Sequence, residues 1–263
     1  MGRGVLFGIN PFKTVKWTLW YLLRLVVYLY FIFLIYNCKY SADYYQEAYR
    51  PQYHFSPEKK WMNDPNGLVY LDGEYHLFYQ YYPDSTVWGP MHWGHAVSND
   101  LITWKHLPIA LYPDSLGYIF SGSAVADTKN MSGFRKNDEI PLVAIFTYHN
   151  QVYNDQQRVD VQTQGIAWSI DRGRTWQKYK NNPVIQNPGI FNFRDPKVIW
   201  YQPANKWIMV VAVNDRVYFY SSTDLKVWES LSAFGRIGSM SLYNPDCCFV
   251  SNILIIYYLK FGA

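Results

Sequence analysis

Cysteine is scarce in this chain of 263 residues: Cys38, Cys247 and Cys248 are too few and too badly spaced for a disulfide framework or a zinc site. Charge is thin as well, at 17% of residues with a net +4. Part of the positive excess lies in Arg3, Lys13, Lys16 and Arg24, so there is no concentrated basic surface, and nucleic acid is set aside as a partner. Amphipathic helical periodicity is missing beyond residue 50. Three broad classes therefore fall away: disulfide-stapled minidomain, zinc module and nucleic-acid binder.

The main apolar run is "LVVYLYFIFLIY", residues 25 to 36, preceded by basic residues. Its length is that of a signal-peptide core. Extended back through "WTLWYLL" it becomes a signal anchor whose basic end stays in the cytosol. The following "NCKYSADYY" has no convincing small-residue cleavage site, so both readings of residues 1–40 stand. The sequon Asn130-Met131-Ser132 makes Asn130 a glycosylation candidate. The expected location is secreted, or membrane-anchored with the rest of the chain extracellular or lumenal. Oligomeric state is not legible.

What is abundant is aromatic. Tyr, Phe and Trp make up 19% of the chain, within 49% hydrophobic residues. Flat rings favour pleated surfaces. Short runs such as "GLVYLDGEYHLFYQYY", "LVAIFTYHN", "KVIWYQPANKWIMVVAV" and "RVYFYSS" are divided by Asp-Gly, Pro and Asn turn signals, which predicts an all-β domain. Leu68–Tyr70, Asp72-Gly73 and Tyr75–Tyr79 spell a hairpin. A weak repeat runs through "SNDLITWKHL", "SIDRGRTWQKY" and "SSTDLKVWESL". The middle copy resembles the Asp-box of β-propellers, where an Asp ties down a hairpin turn and a Trp packs between blades. Trp104, Trp176 and Trp228 are 72 and then 52 residues apart, which suits propeller blades with an insertion in the first interval.

One polar cluster enters a strand near the start of this region: "WMNDPNG", residues 61 to 67. In order behind it come "LFYQYYP", Trp88-Gly89, "HWGHAVSNDLITW", "FSGS" and "FRDP". Together these motifs resemble glycoside hydrolase family 32, the invertases and other β-fructofuranosidases, over about residues 50 to 250. The resemblance implies an all-β, five-bladed propeller over residues 41–263. About three blades are accounted for. The remaining blades and the β-sandwich that normally follows have no counterpart here, so the chain reads as an incomplete copy of such an enzyme.

By the same resemblance Asp64 is the nucleophile and Asp195 the transition-state stabiliser, supported by Arg194. Trp61, Met62, Asn63, Gln80, Trp88, Phe120 and Ser121 line the pocket for the first sugar. The chemistry suits these types: a carboxylate attacks one face of an oxocarbenium-like centre while a protonated carboxyl serves the leaving oxygen. Substrates would be sucrose or short fructans, cleaved with retention, and neither metal nor organic cofactor is implied. The third carboxylate departs from the pattern. Where the family has Glu-Cys-Pro, this chain reads "GSMSLYNPDCCFV", placing Tyr243 at the acid/base position. A phenol with an ordinary pKa near 10 is badly matched to that task. A non-catalytic fructoside-binding remnant and a fragment without function are the competing expectations.

Overall fold

The computed structural model describes residue 20 and residues 24–30, 47–51 and 54–235. Most of the 1–40 segment, Cys247, Cys248 and Tyr243 lie outside the described residues. The chain divides into two compact units, Met1–Gln52 and Tyr53–Ala263. In the first, residues 24–30 are helical and exposed. Among the described residues no helix is long and apolar enough to cross a membrane.

The described residues of the second unit form twelve strands in three four-stranded antiparallel sheets. The first sheet holds β1 (Trp61–Leu71), β2 (Glu74–Tyr82), β3 (His92–Ser98) and β4 (Lys105–Leu111), in that order. The second holds β5 (Tyr118–Ala126), β6 (Leu142–His149), β7 (Gln162–Ser169) and β8 (Gln177–Lys178). The third holds β9 (Phe193–Tyr201), β10 (Lys206–Val213), β11 (Arg216–Ser222) and β12 (Glu229–Gly235). Each is a four-strand meander, which is the blade unit of a propeller. The predicted hairpin is present: Leu71 pairs with Glu74 across Asp72 and Gly73, at φ 48° and 86°. These left-handed values are what a two-residue type I′ turn needs, and why Asp-Gly signals it.

The insertion expected between Trp104 and Trp176 lies in the second blade. It comprises the 127–141 connection and a short helix, Gln151–Asp155, capped by Asn150 Oδ1 accepting from the Tyr153 N–H. No amphipathic pattern marks this helix, because five residues are too few to carry one, and it buries no residue.

Strand β6 is buried along its whole length. Its period-2 geometry divides the residues between two cores. Ala144, Phe146 and Tyr148 pack with Phe78 and Trp93 of the first blade. Val143 and Ile145, joined by Ile166 of β7, pack with Phe193, Val198, Met209 and Val211 of the third. The middle blade is thus apolar on both faces. Burying each such Val, Ile or Phe contributes roughly 1.5–3 kcal/mol.

The three Asp-box-like copies are the turns between the third and fourth strand of each blade. Asp100 Oδ1 accepts the N–H groups of Ile102 and Thr103, at 2.8 and 2.7 Å. Asp171 Oδ1 accepts from the Thr175 N–H and Asp224 Oδ1 from those of Lys226 and Val227. The preceding Ser98, Ser169 and Ser222 each donate a hydroxyl to that Asp. These bonds, the one from Thr103 foremost, pull the Asp100 carboxyl down to about 2. Trp176 lies between blades as expected, edge-on to Phe78 at 5.4 Å, and Trp228 packs on the core shared by the second and third.

Candidate active site

Strand β5 touches both β1 and β9, so the first strands of the three blades stand side by side. All three carry a register shift where the sequence placed a site residue. In β1 the shift falls between Met62 and Pro65, spanning Asn63 and Asp64. In β5 it falls between Phe120 and Gly122, at Ser121. In β9 it spans Asp195 and Pro196, where Arg194 pairs with Ala212 but Lys197 with Val210. An inserted residue bends a strand and re-aims its side chain, which is why bulges gather at functional sites.

Two glycines make these irregularities feasible. Gly67, the last residue of "WMNDPNG", has φ +59°, and a Cβ there would stand 2.7 Å from a Phe78 ring carbon. At Gly122 a Cβ would stand 2.0 Å from the Ile145 carbonyl oxygen, so only glycine admits the close approach of β6.

Asp64 is exposed, and its carboxylate is held from both sides. Ser121 Oγ donates to Oδ2 at 3.0 Å and Asn63 Nδ2 to Oδ1 at 3.2 Å. Asn63 is itself held by the Trp61 indole N–H, 3.0 Å from its Oδ1. The Asn66 amide donates to the Asp64 carbonyl. The Asp64–Ser121 bond joins the first two blades, and Trp93 fixes it from below by donating to the Phe120 carbonyl at 3.0 Å. Met62 is half-buried at the edge of the bulge, opposite Tyr81. Gln80 is 2% exposed, and among the described residues its Nε2 has no hydrogen-bond partner. A buried, unspent donor is costly unless something pairs with it.

The aromatic positions form a graded wall. Trp88 is 47% exposed and meets Phe120 edge-on at 6.4 Å and Tyr118 at 6.2 Å. Phe120 stacks flat on His149 at 4.3 Å. Burial drives the His149 imidazole down to about 4, so it is a neutral flat ring at pH 7. Arg194 lies 3.8 Å from the Asp195 carboxylate and donates to Asn192. Asp195 has φ 60°, a left-handed conformation inside a strand, and its N–H donates to Thr147 Oγ1 at 3.0 Å.

The structure therefore brings Trp61, Asn63, Asp64 and Ser121 into one hydrogen-bonded group, Trp88 and Phe120 into one wall, and Arg194 beside Asp195. Sequence reasoning passed over His149, Thr147, Gln162 and Gln164. Their signal was polar side chains at fully buried positions of otherwise apolar strands, visible in "FTYHN" and "VQTQG". Asn130 is half-buried with φ 55°, its Oδ1 accepting from the Arg135 N–H, while Ser132 donates to buried Asp127 at 2.6 Å. Among the described residues no group of three or more His, Cys, Asp or Glu could hold a metal ion.

A propeller that gathers carboxylates, carboxamides and flat rings on its bulged inner strands is suited to a polyhydroxylated ring. Comparison with known proteins agrees. The chain belongs to glycosyl hydrolases family 32, whose N-terminal domain model matches residues 54–252. It is 57% identical to a levanase of Bacillus subtilis over 81% of this chain and 31% of that protein. An invertase of Schizosaccharomyces pombe is 45% identical over 79% of this chain and 36% of its own length. An extracellular exo-inulinase of Aspergillus awamori is 45% identical over 78% and 41%. The crystal structure of the exo-inulinase from that organism superposes with a TM-score of 0.67 at 46% identity, covering 73% of this chain and 41% of that one. The chain thus spans 31% to 41% of the length of these relatives.

Proposed function

We propose that this protein is a retaining β-fructofuranosidase acting on sucrose or short fructans, with Asp64 as nucleophile and Asp195 as transition-state stabiliser. The observation that carries the reading is the Asp64 carboxylate, exposed for attack yet oriented by Ser121 and Asn63 at the β1 bulge. In the first step Asp64 attacks the anomeric carbon of the fructosyl unit, and the bond to the leaving oxygen breaks. The departing alkoxide needs a proton. Water then attacks the fructosyl-Asp64 ester, giving up a proton as the carboxylate leaves. Trp61, Met62, Asn63, Gln80, Trp88, Phe120, Ser121 and Arg194 hold the sugar, the amides and hydroxyls pairing with its hydroxyl groups.

Tyr243 favours a second reading, a fructoside-binding protein without efficient turnover. Loss of a positioned acid costs about 10²–10⁴ in rate. The aryloxide of an aryl fructoside leaves without a proton; the glucose alkoxide of sucrose does not. The expected result is release of fructose from the aryl substrate, slow release from sucrose, and a rise in the sucrose rate in Tyr243→Glu. Asp64→Asn should abolish both activities, a loss of at least about 10⁴-fold. Binding of fructosides with no turnover of either substrate would select the second reading. Residues 1–40 are proposed to direct the chain into the secretory pathway, as a cleaved signal or a retained anchor, with residues 41–263 as the propeller and Asn130 as the glycosylation site.

A further inference from the structure

The backbone of β9 just before its bulge is gripped by side chains of the neighbouring blade. Gln162 Oε1 accepts from the Phe193 N–H at 2.8 Å, and Gln164 Nε2 donates to the Phe193 carbonyl at 2.8 Å. Two residues on, the Asp195 N–H donates to Thr147 Oγ1 at 3.0 Å. The Thr147 hydroxyl proton is engaged elsewhere, donated to Gln164 Oε1 at 2.7 Å. Thr147, Gln162 and Gln164 are each no more than 2% exposed, so these contacts operate without competing water.

Position along the strand makes the arrangement specific. Val143 and Ile145 of β6 face the third blade, and Thr147 follows them in the same alternation, directly opposite Gln164 in β7. Val143 and Ile145 fill their places with apolar groups alone. Threonine at 147 has the shape of valine with a hydroxyl in place of one methyl, and that hydroxyl is shared between Gln164 and Asp195. Asp195 lies in the register shift of β9, between Arg194, which pairs with Ala212, and Lys197, which pairs with Val210, at the point where φ turns positive. A hydrogen bond from the neighbouring blade helps hold a left-handed aspartate in one orientation.

We infer that Thr147, oriented by Gln164, is a positioning residue for Asp195, fixing the bulge that aims its carboxylate. The inference rests on the reading of Asp195 as the stabiliser for its catalytic consequence, but the positioning itself is measurable without turnover.

The test compares Thr147→Val, Thr147→Ser and Thr147→Ala in the full chain, reading Asp195 amide hydrogen exchange, melting temperature, and kcat and KM on an aryl fructoside. Valine keeps the volume and removes the hydroxyl. The expected result is faster exchange at Asp195 in the valine and alanine variants and near-original protection in the serine variant. A misplacement of about 1 Å at a reacting group costs up to roughly 100-fold. The kcat of Thr147→Val should therefore fall by about 10- to 100-fold and return to within about threefold in Thr147→Ser. If Thr147→Val does not fold, the alanine and serine pair decides. Unchanged Asp195 protection in valine or alanine, or equal loss in serine, overturns the inference. If the original chain turns over no fructoside, the hydrolase reading fails and the exchange comparison alone decides the positioning.

Discussion

The outer turns and the inner strands of this propeller obey opposite rules. At the outer turns each blade repeats the same device, a serine and an aspartate that collect backbone N–H groups and a tryptophan six or seven residues after the serine. At the inner strands each blade breaks regularity in its own way. Strand β1 shifts around Asn63 and Asp64, β5 at Ser121, and β9 at Asp195 and Pro196. The turns make the blades alike enough to stack; the bulges make them different enough to build a site. Repetition in the fold and asymmetry in the chemistry are thus separated in space, so each can be perturbed alone.

The largest effect is expected at an inner strand. Gly122→Ala forces a Cβ to within 2.0 Å of the Ile145 carbonyl oxygen and 2.7 Å of Phe146 Cα, both backbone atoms of the most buried strand. Neither can swing aside. Overpacking of this kind costs about 3 kcal/mol, to be read as a lowered urea midpoint. Because Ser121 sits in the same bulge and holds Asp64, the proposed fructosidase activity should fall even where the variant remains folded. A variant with unchanged midpoint and unchanged activity would mean that the bulge is not set by the close approach of β6.

A smaller effect is expected where an outer turn meets its neighbouring blade. Gly173, in the second turn, lies against His76 and His95, which share a hydrogen bond of 3.1 Å with their rings stacked. Arg174 clamps Glu74 through two bonds of 2.6 and 2.7 Å, and Arg172 donates to the Asp72 carbonyl. Burial lowers His76 to about 4 and His95 well below its ordinary value, with the two arginines adding to the effect at His76. Both are neutral when folded, while an unfolded imidazole titrates near 6.5. Between these values the unfolded chain binds more protons, so stability is full above about pH 6.5 and declines as pH falls toward 4. For His76 alone the loss is on the order of 2–3 kcal/mol. Melting temperature should drop over that window in the original chain, and by less in His76→Gln. A flat profile from pH 6.5 to 4.5 would show that the buried pair is not held neutral.

The same separation explains what could be read from sequence. The repeated turns were legible because their chemistry is local: Ser, Asp and Trp act within seven residues of one another, as the middle copy shows. "WMNDPNG" was legible because Gly67 and its neighbours fix the β1 bulge within one segment. The support for Asp195 was not. Thr147, Gln162 and Gln164 lie 29 to 48 residues before the backbone groups they hold, and each taken singly is an ordinary polar residue in a strand. Only the alternation of β6 and β7, known once the blades are stacked, brings them together. His149 escaped for the same reason: its stacking on Phe120 crosses two strands and leaves no spacing in the sequence.

The smallest effect tests whether the outer turns are one device in three copies. Counting back three residues from each tryptophan gives Leu101, Gly173 and Leu225, at φ 65°, 77° and 65°. The middle copy has glycine where the others force a leucine into left-handed geometry, which costs an L-residue about 1–2 kcal/mol. Leu225 is buried, so replacing it would also empty a core position. Leu101 is 50% exposed and has little packing to lose. Its N–H bond to Ser98 Oγ, 2.8 Å, belongs to the backbone and survives substitution. Glycine's greater freedom in the unfolded chain offsets about 0.5–1 kcal/mol of the relief. Leu101→Gly should therefore be stabilising by about 0.5 kcal/mol, a rise of roughly 1–2 °C in melting temperature. Leu101→Ala keeps the Cβ and the strain, and should give no gain. If alanine stabilises as much as glycine, the benefit comes from removing an exposed leucine, and the three turns do not share one backbone requirement.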